Sequence, residues 1–354
     1  MLPLNWQKVR LGDIANYLTS NLSAEQITQQ GEIKVYDVNN FIGYTDTTFI
    51  SDKPYISIVK DGSVGRVRIL PPKTNILSTM GALIANHRTT TEFLFYLLSN
   101  FDFKNFTSGS IIPHIYFKDY KEKTIFLPPL NEQSAIANIL SALDRYLCAL
   151  DALILKKEGV KKSLSFELLS QRKRLKSFNQ AWQRVRLGDI ANYLTSNLSA
   201  EQITQQGEIK VYDVNNFIGY TDTTFISDKP YISIVKDGSV GRVRILPPKT
   251  NILSTMGALI ANHRTTTEFL FYLLSNFDFK NFTSGSIIPH IYFKDYKEKT
   301  IFLPPLNEQS AIANILSALD NEIASLKNKK RQFENIKKAL NHDLMSAKIR
   351  VLEK

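Results

Sequence analysis

Two loops and one dipeptide hold the residue types that could do chemistry, and each occurs twice in the chain. Lys60-Asp61-Gly62-Ser63-Val64-Gly65-Arg66 joins two predicted strands. Its glycines let backbone N–H groups approach a phosphate, and Lys60 and Arg66 supply cations to hold one, with Ser63 as a further donor. It is not a P-loop, because the Walker lysine and the following helix are missing. A plain hairpin turn accounts for the same residues without a ligand. Thr107-Ser108-Gly109-Ser110-Ile111-Ile112-Pro113-His114-Ile115-Tyr116-Phe117-Lys118 is a small-polar loop. Ser108, Ser110, His114 and Lys118 are donors suited to phosphates and base edges, and Tyr116 could stack on a base. An ordinary loop capping a strand fits this pattern equally well. Lys73, after the Pro71-Pro72 turn, is one more cation. His87-Arg88 ends a strand, where a histidine is usually solvated or packed.

The same residues recur 176 positions on as Lys236, Ser239, Arg242, Lys249, Ser284, Ser286, His290, Tyr292 and Lys294. Residues 6–144 reappear at 182–320 with one difference, Lys8 against Arg184. That length far exceeds solenoid periods, so a whole domain and the start of a helix are present twice. The flanks differ yet align without gaps: Val160-Lys161-Lys162-Ser163-Leu164 matches Ile336-Lys337-Lys338-Ala339-Leu340.

Catalytic signatures are missing. There is no Ser-His-Asp order, nucleophile elbow or paired-carboxylate cue, and no glycine-rich S-adenosylmethionine or dinucleotide fingerprint. The two histidines of each repeat, His87 and His114, do not form a metal spacing. The one cysteine, Cys148, permits no disulfide within the chain and points to a reducing cytoplasm. A structural zinc site would lack ligands. No signal peptide and no apolar run near 18 residues is present, so no membrane span is expected. The expectation is a chain with no catalytic residues, no metal and no cofactor.

The elements that position these loops follow from local pattern. Strands are predicted at Val9–Leu11, Ile33–Val38, Tyr55–Val59, Arg66–Leu70, Leu77–Ala85 and Thr124–Leu127, from β-branched and aromatic content. A short helix is predicted after Gly12-Asp13, and another over Glu92–Leu98 capped by Thr91. The mixture is α+β, without regular βαβ alternation. Each repeat then runs into a long helix after Pro128-Pro129 or Pro304-Pro305, with Asn131 and Asn307 as N-caps. Ile136, Leu140, Leu143, Leu147, Leu150 and Ile154 alternate spacings of four and three. After a polar interval at Lys157 and Lys161, Leu164 and Leu168 resume the series. The second helix carries Ile312, Leu316, Leu319, Ile323, Leu326, Lys330, Phe333, Lys337, Leu340 and Leu344. This is a coiled-coil seam. Roughly 40 helical residues span about 60 Å. The joint Ser177–Ala181 reaches at most about 18 Å, so parallel helices could not be connected and antiparallel packing is predicted.

The division read from the sequence is a first globular domain at 1–130 and a spacer helix at 131–177. A second domain at 178–306, with linker 178–181, and a second spacer helix at 307–354 follow. The arrangement expected is two near-identical globular domains separated by two long helices in an antiparallel, pseudo-twofold coiled coil. Charge follows this division. The repeated segments each carry 13 basic and 13 acidic residues, whereas 145–181 has a net +6 and 321–354 a net +5, together the whole chain's +11. Within each neutral repeat the charge is polarised: residues 53–123 hold 10 basic and 5 acidic residues. A basic face suggests a polyanion partner, although charged helices are commonly just solvated.

Three stretches together resemble the specificity subunit of type I restriction–modification systems. They are Gly109-Ser110-Ile111-Ile112-Pro113-His114-Ile115-Tyr116-Phe117-Lys118-Asp119, Ile125-Phe126-Leu127-Pro128-Pro129-Leu130-Asn131-Glu132-Gln133-Ser134-Ala135-Ile136, and Leu140-Ser141-Ala142-Leu143-Asp144. The opening Leu11-Gly12-Asp13 and the ending Lys348-Ile349-Arg350-Val351 also fit. The resemblance covers the full chain and appears in both halves. It implies two target-recognition domains, double-stranded DNA as ligand, no catalytic activity, and docking of two methyltransferase subunits, which restriction subunits can join. No base-reading residue is carried over, since recognition domains of the family differ greatly among themselves. Members usually carry two different recognition domains; this chain carries the same one twice. Two other readings are a structural scaffold spacing two protein-binding domains and a hydrolase using Asp61 and His87. A salt-dependent gel shift of a duplex separates the first from DNA recognition. Activity of the purified lone chain would support the second.

Overall fold

The central strand of each repeat is Tyr55-Ile56-Ser57-Ile58-Val59, in which every residue is buried. A strand buried on both faces and rich in β-branched residues is an interior strand. The computed structural model describes residues 5–351; the ends of the outer segments drawn from the sequence, 1–4 and 352–354, lie outside it. In chain order the first repeat contains β1 (Gln7–Arg10), β2 (Ala15–Thr19), β3 (Ile33–Tyr36), β4 (Phe41–Thr45), β5 (Tyr55–Val59), β6 (Val67–Leu70), β7 (Asn75–Ile76), β8 (Met80–Ala85), α1 (Thr91–Ser99), α2 (Phe117–Tyr120), β9 (Thr124–Leu127) and α3 (Leu130–Leu169). The second repeats the order and adds α4 (Thr267–Ser275), α5 (Phe293–Tyr296) and α6 (Leu306–Met345). The chain is mixed α+β with two repeated domains.

Three sheets build the first domain and recur in the second, where Thr283–Ser284 and His290–Ile291 form a further short antiparallel pair. One has the order β2-β8-β5-β6, all neighbours antiparallel. A second is β4-β3-β7, in which β3 and β7 run parallel. The third pairs β1 with β9, tying the start of the domain to the strand that feeds the long helix. Helix α1 covers the four-stranded sheet with Phe93, Leu94, Leu97 and Leu98, all buried. At roughly 1.5–3 kcal/mol per fully buried side chain, this face is a main source of the domain's stability.

Several local expectations shift. The turn after Gly12-Asp13 is one 3₁₀ turn, Leu11–Asp13, and leads into the unread strand β2. That strand is an edge with weak alternation, so its sequence gives little period-2 signal. Strand β3 stops at Tyr36 rather than Val38, because Asp37 caps a turn into the unread β4. The segment predicted as one strand over Leu77–Ala85 begins only at Met80, after a turn closed by the Met80 N–H donating to the Leu77 carbonyl. Thr90, not Thr91, caps α1, its hydroxyl accepting from the Phe93 amide at 3.2 Å. The long helices start at Leu130 and Leu306, so Asn131 and Asn307 lie inside the first turn.

The chain divides into two compact units. One joins the residues up to Asp151 with those from Asn328 onward; the other is Ala152–Lys327. Each unit therefore takes one recognition domain and a stretch of both long helices. In the first unit Lys337 pairs with Asp144 and Lys330 with Asp151, so the two stretches run antiparallel. In the second, Lys161 pairs with Asp320 and Lys157 with Glu322, in the same sense. The lysines that interrupt the apolar series thus have carboxylate partners, while Ile136, Leu140, Leu150 and Ile154 are buried.

The start of each long helix is tied to its own domain by the motif Asn-Glu-Gln. Gln133 is fully buried and makes four contacts. Its amide N–H₂ donates to the carbonyls of Arg88 and Pro128, and its oxygen accepts from the Thr89 hydroxyl and the Thr90 amide, all at 2.9–3.0 Å. Gln309 repeats the set. Glu132 and Glu308 accept from the indole N–H of Trp6 and Trp182, each at 3.0 Å.

Candidate nucleic-acid interface

The loop after β5 and the loop before α2, 53 residues apart in sequence at their closest pair, form one surface. The Gly62 amide donates to the Pro113 carbonyl and the Ile115 amide to the Lys60 carbonyl, both at 2.9 Å. His114 Nδ1 lies 2.6 Å from Asp61 Oδ1. An ionised carboxylate can only accept, so in this pair Nδ1 is the donor. Ser108 and His114 exchange backbone bonds of 2.9 and 2.7 Å, closing the loop between them. Gly109 has φ +88, and a Cβ there would lie 2.4 Å from the Ile112 carbonyl oxygen, so the bend needs glycine. Gly65, at φ +81, lies against the Phe103 ring, where a Cβ would come within 2.7 Å.

Eight of the nine residues singled out per domain gather here. Lys60, Ser63, Ser108, Ser110 and His114 sit on the two loops, and Tyr116, 49% exposed, stacks on His114 with ring centroids 6.4 Å apart. Lys118 follows on α2, its Nζ 5.5 Å from the Tyr116 ring. Arg66 closes the first loop and donates to Asn39 Oδ1 at 2.8 Å. Lys73 is elsewhere. It lies at the β6–β7 turn with φ 57, its amide donating to the Ser51 carbonyl. Because Tyr55 pairs with Leu70, that turn is at the opposite end of the β5–β6 hairpin from Lys60 and Arg66. The second domain places Lys236, Ser239, Arg242, Ser284, Ser286, His290, Tyr292 and Lys294 alike, with His290 Nδ1 2.7 Å from Asp237. Lys249 again stands apart, φ 57.

The hydrolase pairing of Asp61 with His87 is overturned. Val59 pairs with Met80 and Ile56 with Leu83, so Asp61 follows one end of the β5–β8 ladder and His87 follows the other. Asp61's partner is His114. Among the described residues no group of three or more His, Cys, Asp or Glu side chains is placed to hold a metal.

Sequence reading missed part of this surface. Asn39, Asn40 and Arg68 belong to it through the β3–β4 turn, where Arg68 donates to the Asn39 carbonyl at 2.9 Å. The signal available was Asp37-Val38-Asn39-Asn40, a turn-forming run hidden by extending the strand to Val38. Ile111 and Ile112 were also passed over; they are 92% and 55% exposed at the tip of the second loop. Tyr17, beneath the surface, has its phenol pushed above the ordinary range by burial and by the charge of Asp61.

A repeated α+β recognition domain, a cationic two-loop surface and long connecting helices define a class of DNA-specificity protein. The family model for the type I restriction modification DNA specificity domain matches residues 3–158 and 179–335. The chain belongs to that family, the specificity subunits of type I restriction–modification systems. It is 25% identical to the type I restriction enzyme MjaVIII specificity subunit of Methanocaldococcus jannaschii, over 99% of this chain and 94% of that one. The crystal structure of the type I restriction–modification S subunit from M. genitalium has a TM-score of 0.67 at 22% identity, covering 96% of both chains. A chain from a structural study of complex assembly and conformational transition of the type I system has a TM-score of 0.60 at 16% identity. It covers 99% of this chain and 100% of that one. These two likenesses are of fold.

Proposed function

We propose that this chain is the non-catalytic, cytoplasmic DNA-reading subunit of a methyltransferase complex, and that its target is a bipartite inverted repeat with two identical half-sites. The observation that carries this is the repeat: 139 residues recur with a single difference, and the recognition surface recurs with them. Two identical readers related by a twofold see the same bases on opposite strands, as twofold dimers do on palindromic operators. In this reading 131–177 and 307–354 are spacers between domains at 1–130 and 178–306. In this reading the DNA face of each domain is Lys60, Ser63, Arg66, Ser108, Ser110, His114, Tyr116 and Lys118 with their counterparts.

The long helices also have exposed apolar positions. Val160 and Ile336, equivalent under the repeat, are 45% and 51% exposed. Such positions on a charged helix suit a protein partner, and the duplication of the domain and its helix suggests two methyltransferase subunits, with restriction subunits joining through them. Native mass spectrometry at saturating methyltransferase should then give two per specificity chain; a stable one-to-one complex would argue against it.

Methylation-sensitive sequencing of DNA from cells carrying this chain with its methyltransferase tests the target. The expected motif is one short half-site, an unread spacer, and the reverse complement of the same half-site. Two unrelated half-sites, or a direct repeat, would overturn the reading. Deleting one heptad from both helices should shorten the spacer and leave the half-sites unchanged.

A further inference from the structure

The β3–β4 turn is built to hold one asparagine still. Asp37 Oδ1 accepts from the amides of both Asn39 and Asn40, at 2.8 and 2.7 Å, and the Asp37 amide donates back to the Asn40 carbonyl at 3.0 Å. Two arginines from the facing β6 region then converge on Asn39. Arg68 donates to its carbonyl at 2.9 Å and lies 5.3 Å from the Tyr36 ring. Arg66 donates through Nη2 to its side-chain oxygen at 2.8 Å. The second domain repeats each contact: Arg242 to Asn215 Oδ1 at 2.7 Å, Arg244 to the Asn215 carbonyl at 2.9 Å, and Arg244 over Tyr212 at 5.2 Å.

Arg66 and Arg68 do different things. Arg68 is held on two sides, by a carbonyl and by a ring face, and serves the turn. Arg66 is exposed; its Nη2 bond to Asn39 tethers one edge of the guanidinium, and most of its five donors remain for a ligand. A phosphate is satisfied by a mobile cation, and Lys60 on the same surface is suited to that. A base edge needs a planar fork in a fixed orientation. The bidentate match of a guanidinium is guanine O6 and N7 in the major groove.

We infer that Arg66, oriented by Asn39, reads a guanine in the major groove, and that Arg242 with Asn215 reads the same guanine of the other half-site. Arg66 is the specificity-determining residue and Asn39 its positioning residue. The inference rests on the proposed reading of double-stranded DNA.

The test uses the purified full-length chain. A randomised duplex library is selected on the wild type to define the half-site, and each half-site guanine is then replaced in turn by 7-deazaguanine, which lacks the N7 acceptor. One guanine per half-site should lose about tenfold or more in affinity. Arg66→Lys with Arg242→Lys keeps the charge and should abolish discrimination at that one position, with the slope of affinity against salt unchanged. Asn39→Ala with Asn215→Ala should broaden preference at the same position, while Asn39→Asp with Asn215→Asp, which keeps an acceptor for Arg66, should restore it. A half-site without guanine, or full affinity for every 7-deazaguanine duplex, would overturn the inference. So would a lysine variant that weakens binding equally on all sequences and lowers the salt slope, which is the behaviour of a phosphate contact. Failure of the wild type to select any duplex sequence would instead overturn DNA reading itself. Thermal melts of each variant against wild type establish that the comparison is between folded proteins.

Discussion

Glu132 and Arg350 pair across 218 residues of sequence, the guanidinium placing Nε and Nη2 3.3 and 3.2 Å from the two carboxylate oxygens. The carboxylate is nearly buried, 6% exposed, and also takes the indole N–H of Trp6. In the other unit Arg174 holds Glu308 at 3.2 and 2.7 Å, with Trp182 as third member. Arg174 and Arg350 are 176 positions apart, the repeat offset, although they lie in the flanks where the repeat has diverged. Each unit is therefore closed by an arginine that arrives after one long helix and binds the glutamate at the start of the other.

Removing the arginine leaves a buried carboxylate without its charge partner. Such losses run to about 3–5 kcal/mol for fully buried pairs and fall with exposure. Arg174 is 27% exposed and its glutamate 0%; Arg350 is 38% exposed. Arg174→Ala should cost about 2–3 kcal/mol, and Arg350→Ala less. The chain's two tryptophans report separately. In a Trp182→Phe background, Arg350→Ala should shift the Trp6 fluorescence transition to lower temperature. An unmoved Trp6 transition would mean that the pair adds nothing to its unit.

Gln133 predicts a second, sharper loss. Its side chain serves two carbonyls and two donors at once, and alanine would take a partner from all four. At about 1–3 kcal/mol for each buried group left unmet, partly relieved by water, Gln133→Ala should be among the more destabilising single substitutions in the domain. Urea titration measures it; a midpoint within error of wild type would refute this role for Gln133.

Alkaline pH should act through buried tyrosines. Burial pushes the Tyr55 phenol up to about 12, against the hydroxyl bond with Thr74 that lowers it, and Tyr231 is the same. Burial and the Asp144 carboxylate raise Tyr96 as well. A folded pKa above the unfolded value of about 10 means stability that is fully present below pH 10 and lost as pH rises through about 12. Tyrosinate absorbance should therefore lag behind free tyrosine between these values and rise steeply with unfolding. A smooth titration of all tyrosines near pH 10 in the folded protein would contradict this.

What could be read from the sequence was whatever repeats locally. The long helices were visible because Leu140, Leu150 and their neighbours recur at helical spacing, and the central strand because Tyr55–Val59 is rich in β-branched and aromatic residues. Lys157 and Lys161 form a polar interval in the first series, and Lys330 and Lys337 stand within the second. Only the fold shows each facing an acid. The recognition surface was half visible: both loops were recognisable by composition, but nothing local says that Asp61 meets His114 rather than His87. That pairing is decided by which end of an antiparallel ladder each residue follows. The same geometry separates Lys73 from Lys60, two cations indistinguishable in composition.

This separation gives the last prediction. Each lysine that neutralises a phosphate contributes about 0.9 to the slope of log affinity against log salt. Lys60 and Lys236 lie on the surface shared by the two loops, beside Ser63, His114 and Arg66. Lys73 and Lys249 follow the other end of the same hairpins, held in a left-handed turn by backbone bonds to Ser51 and Ser227. Lys60→Ala with Lys236→Ala should lower the slope by about 2, one phosphate per domain. Lys73→Ala with Lys249→Ala should leave it unchanged if the DNA follows the two-loop surface. Removing a cation anywhere changes net charge equally, so the two double variants control for one another, and both keep Arg66 and its base preference intact. Equal slopes for the two variants would show that the cations act only as diffuse charge. A larger drop for the Lys73 variant would move the DNA to the opposite end of the hairpin, and Arg66 with it out of reach of the bases.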